Sequence, residues 1–386
     1  MDKVNSIKII RVSTIPLSLN LFCRGLLKEL AAEGYEVVAI SSPGKDLDEI
    51  VEREGVRGIA VNMERKISVF KDLKSLWNLI KILHKERPQM VHSVTPKAGL
   101  LSMTAAWITR VPVRIHTFTG LVFPTSKGLK KKVLMTADKL ICRFATHIIP
   151  EGEGVKYDLL ANEITYKPLN VLGYGSLGGV DVGFFNPEIP ELHISAKDLR
   201  SENSVTFIFI SRIAGDKGVN ELIEAFCKLN REYKNTRLIM IGWDETHLDP
   251  IHQSAWKEIR ENEAIQWIGG RNDVRPWLLA SDCLILPSYR EGFPNVVLEA
   301  GAMGVPCIVT DINGSNEIIS DGKSGLIVKP GDTKSLYNAM KLIVMNPEML
   351  EPMADDIRKN VVEKYDRRKV YKNLKTFYEN ILNDRK

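Results

Sequence analysis

Short apolar runs alternate with stretches of helical period, and they do so twice along the chain. Residues 7–13 read as a strand, and 20–32 as a helix with Phe22, Leu26, Leu27 and Leu30 on one face, ending at Gly34. Strands near 36–41, 58–61, 90–94 and 113–117 follow, with helical segments such as 69–86 and 97–109 between them. Such alternation implies parallel strands joined by right-handed crossovers, and a sheet covered on both faces. After Pro168, the run LNVLGYGSLGGVDVGFFNPEIPEL is too rich in glycine and proline for regular helix, so 173–204 reads as a connection. The alternation then restarts: strand 206–211, helix 219–232, strands 237–241, 265–268 and 283–286, helix 294–303 and strand 307–310. The expected class is α/β, with two Rossmann-like, doubly wound parallel-sheet domains over 1–185 and 186–365. A last helical stretch within 366–386 is expected to pack back on the first domain.

Length agrees: 386 residues make two domains at ~150 or more each. Apolar residues at 44% and charged residues at 26% supply two packed cores and leave little for disorder. A net charge of only +5 argues against a nucleic-acid partner. The five cysteines, Cys23, Cys142, Cys227, Cys283 and Cys307, include no C-x-x-C pair and suggest reduced thiols and a cytoplasmic setting. No apolar stretch approaches the ~18 residues of a membrane span. Lys8 and Arg11 interrupt the first apolar run, and no small-residue cleavage site follows, so it reads as a strand rather than a signal peptide.

Each half opens alike, with an apolar strand ending in Ser13 or Ser211, an irregular loop and an amphipathic helix. Open parallel sheets bind ligands at the carboxyl ends of their strands, so two sheets facing a cleft would bind there. Neither opening loop, TIPLSLN or RIAGDKG, carries the dinucleotide fingerprint, and no Walker loop is present. The segment PSYREGFPNVVLEAGAMGVP is more informative. Pro294 is expected in the first turn of a helix, with the amides of Asn295, Val296 and Val297 free to meet a phosphate. Glu291 and Glu299 flank that turn, about 12 Å apart along the axis if helical. Carboxylates on either side of a phosphate site suit a nucleotide sugar. In FISRIAGDKGVNELIEAF, Arg212 and Lys217 fall at the carboxyl edge of the second sheet, where two cations can neutralise a diphosphate leaving group. Taken singly, each segment also fits a capping Glu or solvated cations.

Together, SRIAGDKG, the E-x7-E segment EGFPNVVLE, VTDINGSNEII and the Gly179-Val180-Asp181 linker resemble glycosyltransferase family four, the retaining GT-B enzymes. HTFTG at 116–120 draws the likeness toward bacterial capsule, exopolysaccharide and lipid-linked glycan transferases, including N-acetylgalactosaminyltransferases acting on undecaprenyl-diphosphate sugars. The resemblance implies an acceptor-binding first domain and a donor-binding second one. It implies that Arg212 and Lys217 hold the donor diphosphate and that Glu291 meets the sugar hydroxyls. Phe293, Pro294, Asn295 and Val296 would then line sugar and phosphate, Glu299 would take the ribose hydroxyls, and His116, at a strand end, would orient the acceptor. Where relatives carry Gly-Gly in the first loop this chain has Thr14-Ile15-Pro16, so Ser13 and Thr14 are the expected acceptor-side hydroxyls.

The expected activity is metal-independent retaining transfer of a hexose or N-acetylhexosamine from a UDP-linked donor to a hydroxyl of a lipid-linked or polysaccharide acceptor, with no cofactor. Two alternatives share the architecture: a UDP-sugar 2-epimerase and a non-catalytic binding subunit. Asp46-Leu47-Asp48 is formally D-x-D but is placed to cap a helix, and Asp244, His247, Asp249 and His252 match no zinc spacing. A basic amphipathic helix over 127–145, next to the apolar Leu121, Val122 and Phe123, is the expected contact with an anionic membrane at its cytoplasmic face.

Overall fold

The computed structural model describes residues 6–64, 68–201 and 203–384. The chain divides into two units, Met1–Gly179 with Arg368–Lys386, and Val180–Arg367. In the first, the described strands are β1 (Lys8–Val12), β2 (Glu36–Ser41), β3 (Arg57–Ala60), β4 (Met90–Val94), β5 (Val113–Phe118) and β6 (His147–Pro150). They pair in parallel in the order β3-β2-β1-β4-β5-β6, so the winding reverses between β1 and β4. Burial on both faces explains why β2 reads as a continuous rather than alternating apolar run, and it also encloses Arg11 of β1 and His92 and Ser93 of β4. One face packs Ile10, Val38 and Val91 against Leu79, Met103 and Ile141 of three helices. The other packs Ile9, Val37 and Ile115 against Leu26 and Leu30, and against Tyr371, Leu374 and Tyr378 of the terminal helix Arg367–Asn383. That helix is fixed by polar contacts too: the fully buried Arg11 donates to Tyr378 Oη at 2.6 Å and to Cys23 Sγ at 3.2 Å, and also contacts His92.

The second unit repeats the plan with β7 (Val205–Ile210), β8 (Thr236–Ile241), β9 (Ile265–Trp267), β10 (Cys283–Leu286), β11 (Cys307–Thr310) and β12 (Gly325–Val328). The order is β12-β11-β10-β7-β8-β9, all parallel, with the reversal between β7 and β10.

Three expectations change. The helix expected over 20–32 is two, Pro16–Cys23 and Leu26–Ala32, because Gly25 at φ 86° turns the chain and the buried Glu54 carboxylate accepts the N–H groups of Gly25 and Lys28. The second unit begins at Val180 rather than after 185, since Val180 exchanges backbone hydrogen bonds with Tyr365 and Arg367. The connection is not wholly irregular: Pro190–Lys197 is a helix opened by Pro190, with Leu192 in the second unit's core. All five cysteines are free thiols and buried.

Candidate active site

In the second unit the site grows out of the β7 and β10 ends, on either side of the sheet's reversal, where open α/β sheets bind ligands. Arg212 lies two residues beyond β7. The chain then makes the 3-10 turn Gly215–Lys217 and, through Gly218, enters the helix Val219–Glu232. Gly218 sits at φ 70°, and a Cβ there would lie 2.1 Å from the Pro287 carbonyl oxygen, so the two loops pass in backbone contact. Tyr289 N–H donates to the Asp216 carbonyl at 2.9 Å and locks them together.

Lys217, almost wholly buried, donates to Glu291 Oε1 at 2.6 Å. Arg212 donates to Glu245 Oε2 at 2.7 Å and reaches Asp216 at 3.5 Å, while Arg290 meets the other Asp216 oxygen at 3.0 Å. Burial lowers the affinity of Arg212 for its proton, but Glu245, Asp216 and Glu291 more than offset this and raise its pKa. Three cations and three carboxylates thus hold one another in place before any ligand arrives. The resemblance to known enzymes singled out Arg212, Lys217 and Glu291; Glu245, Asp216 and Arg290 were missed, although Asp216 and Arg290 are sequence neighbours of Lys217 and Glu291.

Past Glu291 the helix is Asn295–Ala302. Pro294 is its N-cap residue, in extended conformation, rather than part of the first turn. The Val297 amide is not free as expected, because it already donates to the Pro294 carbonyl at 3.0 Å. Asn295 and Glu299, four apart, share a helix face. Among the described residues the buried Asn295 Oδ1 has no hydrogen-bond partner, and neither do Ser288 Oγ and Ser315 Oγ. Buried polar atoms are normally satisfied, and Arg11 Nε, Asn20 Oδ1, Thr206 Oγ1 and Glu221 Oε2 are orphaned in the same way elsewhere in the fold; the two serines carry no signal in the sequence. Gly314 brings the Ser315 turn against Gly292 and Phe293, since a Cβ there would meet the Gly292 oxygen at 2.2 Å. Burial pushes the Glu299 carboxyl up to about 7, with Arg367 pulling it down.

In the first unit, Ser13 follows β1 and Thr14 begins the next loop. Their hydroxyls are engaged inside the unit: Ser13 Oγ donates to the Ile15 carbonyl at 2.7 Å, and Thr14 Oγ1 lies 2.8 Å from Thr95 Oγ1 and accepts from the Ala98 amide. His116 is fourth of six residues in β5 rather than at the strand's end. It is buried, with Nδ1 2.8 Å from Ser93 Oγ and its ring edge-on to Phe118 at 4.5 Å. Burial lowers its pKa to about 3, so the imidazole is neutral at physiological pH. Leu121 and Phe123, expected to flank the membrane-contact helix, are core residues.

Asp46 and Asp48 stand in the first turn of the helix Lys45–Glu54 without making a side-chain cap, Gly44 being the cap residue. Asp249 accepts the Asp216 amide at 2.6 Å, and Asp244 accepts from Thr246. Among the described residues no group of three or more His, Cys, Asp or Glu side chains is arranged to hold a metal.

The chain resembles known proteins along both units. Residues 192–360 match the family model for glycosyl transferases group 1, and 19–175 that for a glycosyl transferase 4-like domain. The capsular polysaccharide biosynthesis glycosyltransferase CapM of Staphylococcus aureus is 32% identical over 98% of both chains. The Escherichia coli UDP-Gal:alpha-D-GlcNAc-diphosphoundecaprenol alpha-1,3-galactosyltransferase is 28% identical over 97% of both. In fold, Anabaena HepE in complex with UDP and glucose superposes with a TM-score of 0.81 at 16% identity, over 97% of this chain and 100% of that one. With paired domain models, a relative above 30% identity along its whole length and two parallel sheets of the same plan, the chain belongs to glycosyltransferase family four, has the GT-B fold and is a glycosyltransferase.

Proposed function

We propose that this transferase moves a hexose or N-acetylhexosamine from a UDP-linked donor to a hydroxyl of a polyprenyl-diphosphate-linked glycan, in capsule or related cell-surface polysaccharide assembly, with retention and without a metal. The observation that carries the reading is the Lys217–Glu291 contact at the strand ends, with Arg212 and Arg290 beside it. Lys217 and Arg212 face the diphosphate and stabilise the charge that grows as its bond to the sugar breaks. Glu291, held by Lys217, offers its second oxygen to sugar hydroxyls, and Glu299 takes the ribose. The acceptor hydroxyl attacks the anomeric carbon on the face the diphosphate leaves, and a departing phosphate oxygen receives its proton. No base of matched pKa is then required, which suits a His116 kept neutral by burial: it positions rather than titrates. The UDP and undecaprenyl-diphosphate in the relatives' names support the choice of donor and acceptor.

The helix Gly128–Phe144 supports membrane contact. It exposes Leu129, Val133 and Leu140 beside Lys130, Lys132 and Lys139 while Ile141 anchors it to the core. Among the described residues no helix is long and apolar enough to cross a bilayer, so the contact is peripheral. The test is incubation with a panel of UDP-sugars and an N-acetylhexosamine-diphospho-polyprenol. Acceptor-dependent UDP release, with product of unchanged anomeric configuration, is expected; donor epimerised without acceptor, or an inverted product, contradicts the reading.

A further inference from the structure

The helix Val69–Glu86 carries a surface that the transfer reaction leaves unused. Val69, Phe70, Leu73 and Trp77 are 66%, 88%, 57% and 58% exposed. At 100° per residue these four fall within an arc of about 100°. Lys71, Lys74, Lys81 and Lys85, all exposed, fill the adjoining arc, and Ser75, Leu79 and Leu83 on the far side are buried. The helix's two acids both turn away: Asp72 pairs with Lys97 at 2.7 Å, and Glu86 with Lys8 and Arg57. The helix itself contributes no acid to the outward surface, Lys71 is paired with Glu64 just before the helix at 2.5 Å, and the Lys81 ammonium stands 5.4 Å from the Trp77 ring centroid.

We propose that this stripe is a membrane anchor, seated in the headgroup region of an anionic bilayer with Phe70 and Trp77 buried and the lysines on lipid phosphates. The inference rests on the membrane-facing reading of the first unit given above and extends it to a second helix. Three observations favour a lipid surface over other occupants. A patch of aromatic and aliphatic side chains flanked along the helix by Lys74, Lys81 and Lys85 matches the amphipathic pattern of interfacial helices. A second copy of the chain would oppose like charges across the contact. The placement is also concerted: in a parallel sheet each crossover helix runs back from the carboxyl edge, so Val69–Glu86 and Gly128–Phe144 start at the same edge. Both bury their inner residues in the same core, on the same sheet face. Phe70 and Leu129, the latter 78% exposed, thus stand at one edge of one layer, as two points of attachment to a plane.

Co-sedimentation of the full chain with mixed phosphatidylglycerol–phosphatidylcholine vesicles, against phosphatidylcholine alone, tests this. Binding to the anionic vesicles is expected to fall roughly tenfold or more in Phe70→Ser/Trp77→Ser, and about fivefold per lysine in Lys74→Gln/Lys81→Gln. UDP titration of the same variants, expected unchanged, verifies that they are folded. The proposal is overturned if Phe70→Ser/Trp77→Ser sediments like the parent protein, or if the parent ignores anionic vesicles. It is also overturned if the stripe proves a protein interface, with self-association in analytical ultracentrifugation abolished by Phe70→Ser. Loss of binding in Leu129→Ser/Val133→Ser alone would reject this helix as an anchor and leave the earlier membrane reading standing. Stripe-dependent binding by a protein that transfers no sugar would keep the anchor and reject the acceptor assignment.

Discussion

Under the proposed function, Glu299 is the residue whose protonation most directly reports on the donor site. Its carboxyl, raised by burial to about 7, is largely protonated in mildly acidic solution. If it accepts ribose hydroxyls, the bound state favours the ionised form, and ligand binding must release a proton below pH 7. UDP affinity is therefore expected to rise with pH, by at most about tenfold per pH unit, and to level off above about 7. In Glu299→Gln that slope should vanish. Calorimetry in buffers of differing ionisation enthalpy measures both, and an identical slope in the variant would remove Glu299 from the nucleotide site. At this scale the sequence was legible where local pattern sets a residue's place: Arg212 and Lys217 follow a strand of the second sheet as expected, whereas the 2.6 Å contact between Lys217 and Glu291, seventy-four residues apart, is tertiary. It was not legible where a role depends on spatial neighbours. Nothing in the text marks Ser288 and Ser315 as buried hydroxyls without partners, or Glu245 as the carboxylate that holds Arg212.

Elements position these groups, and the loop into the helix Val219–Glu232 has least freedom. Gly218→Ala would place a side chain at φ 70° and 2.1 Å from the Pro287 oxygen. The left-handed conformation and the clash together are expected to cost roughly 2–4 kcal/mol and to displace Lys217. Urea unfolding should show the loss, with weaker UDP binding alongside; an unchanged midpoint would mean that the two loops do not meet as described. Most elements were readable because two-sided burial makes parallel strands continuous apolar runs, and the helices between them carry a 3.6-residue stripe. The helix Val69–Glu86 matches its expected bounds. What escaped was β6 and β12, each an edge strand of its sheet, and the break at Gly25, which depends on a carboxylate contributed by Glu54.

Across the whole molecule, each unit has its own six-stranded sheet and its own pair of cores, so the repeat visible in the sequence is a repeat of folding units. The return of the terminal helix to the first unit is fixed by Arg11, a residue that in the sequence only interrupts an apolar run. The cation–carboxylate cluster lies entirely in the second unit. The central claim, that this cluster grips a nucleoside diphosphate, is tested most directly by titrating UDP into the full chain and into Arg212→Ala and Lys217→Ala. Each lost charged contact should weaken binding by about 1.5–3 kcal/mol, or roughly 10- to 100-fold. Equal affinity in all three proteins, or no binding by the parent, would contradict the account.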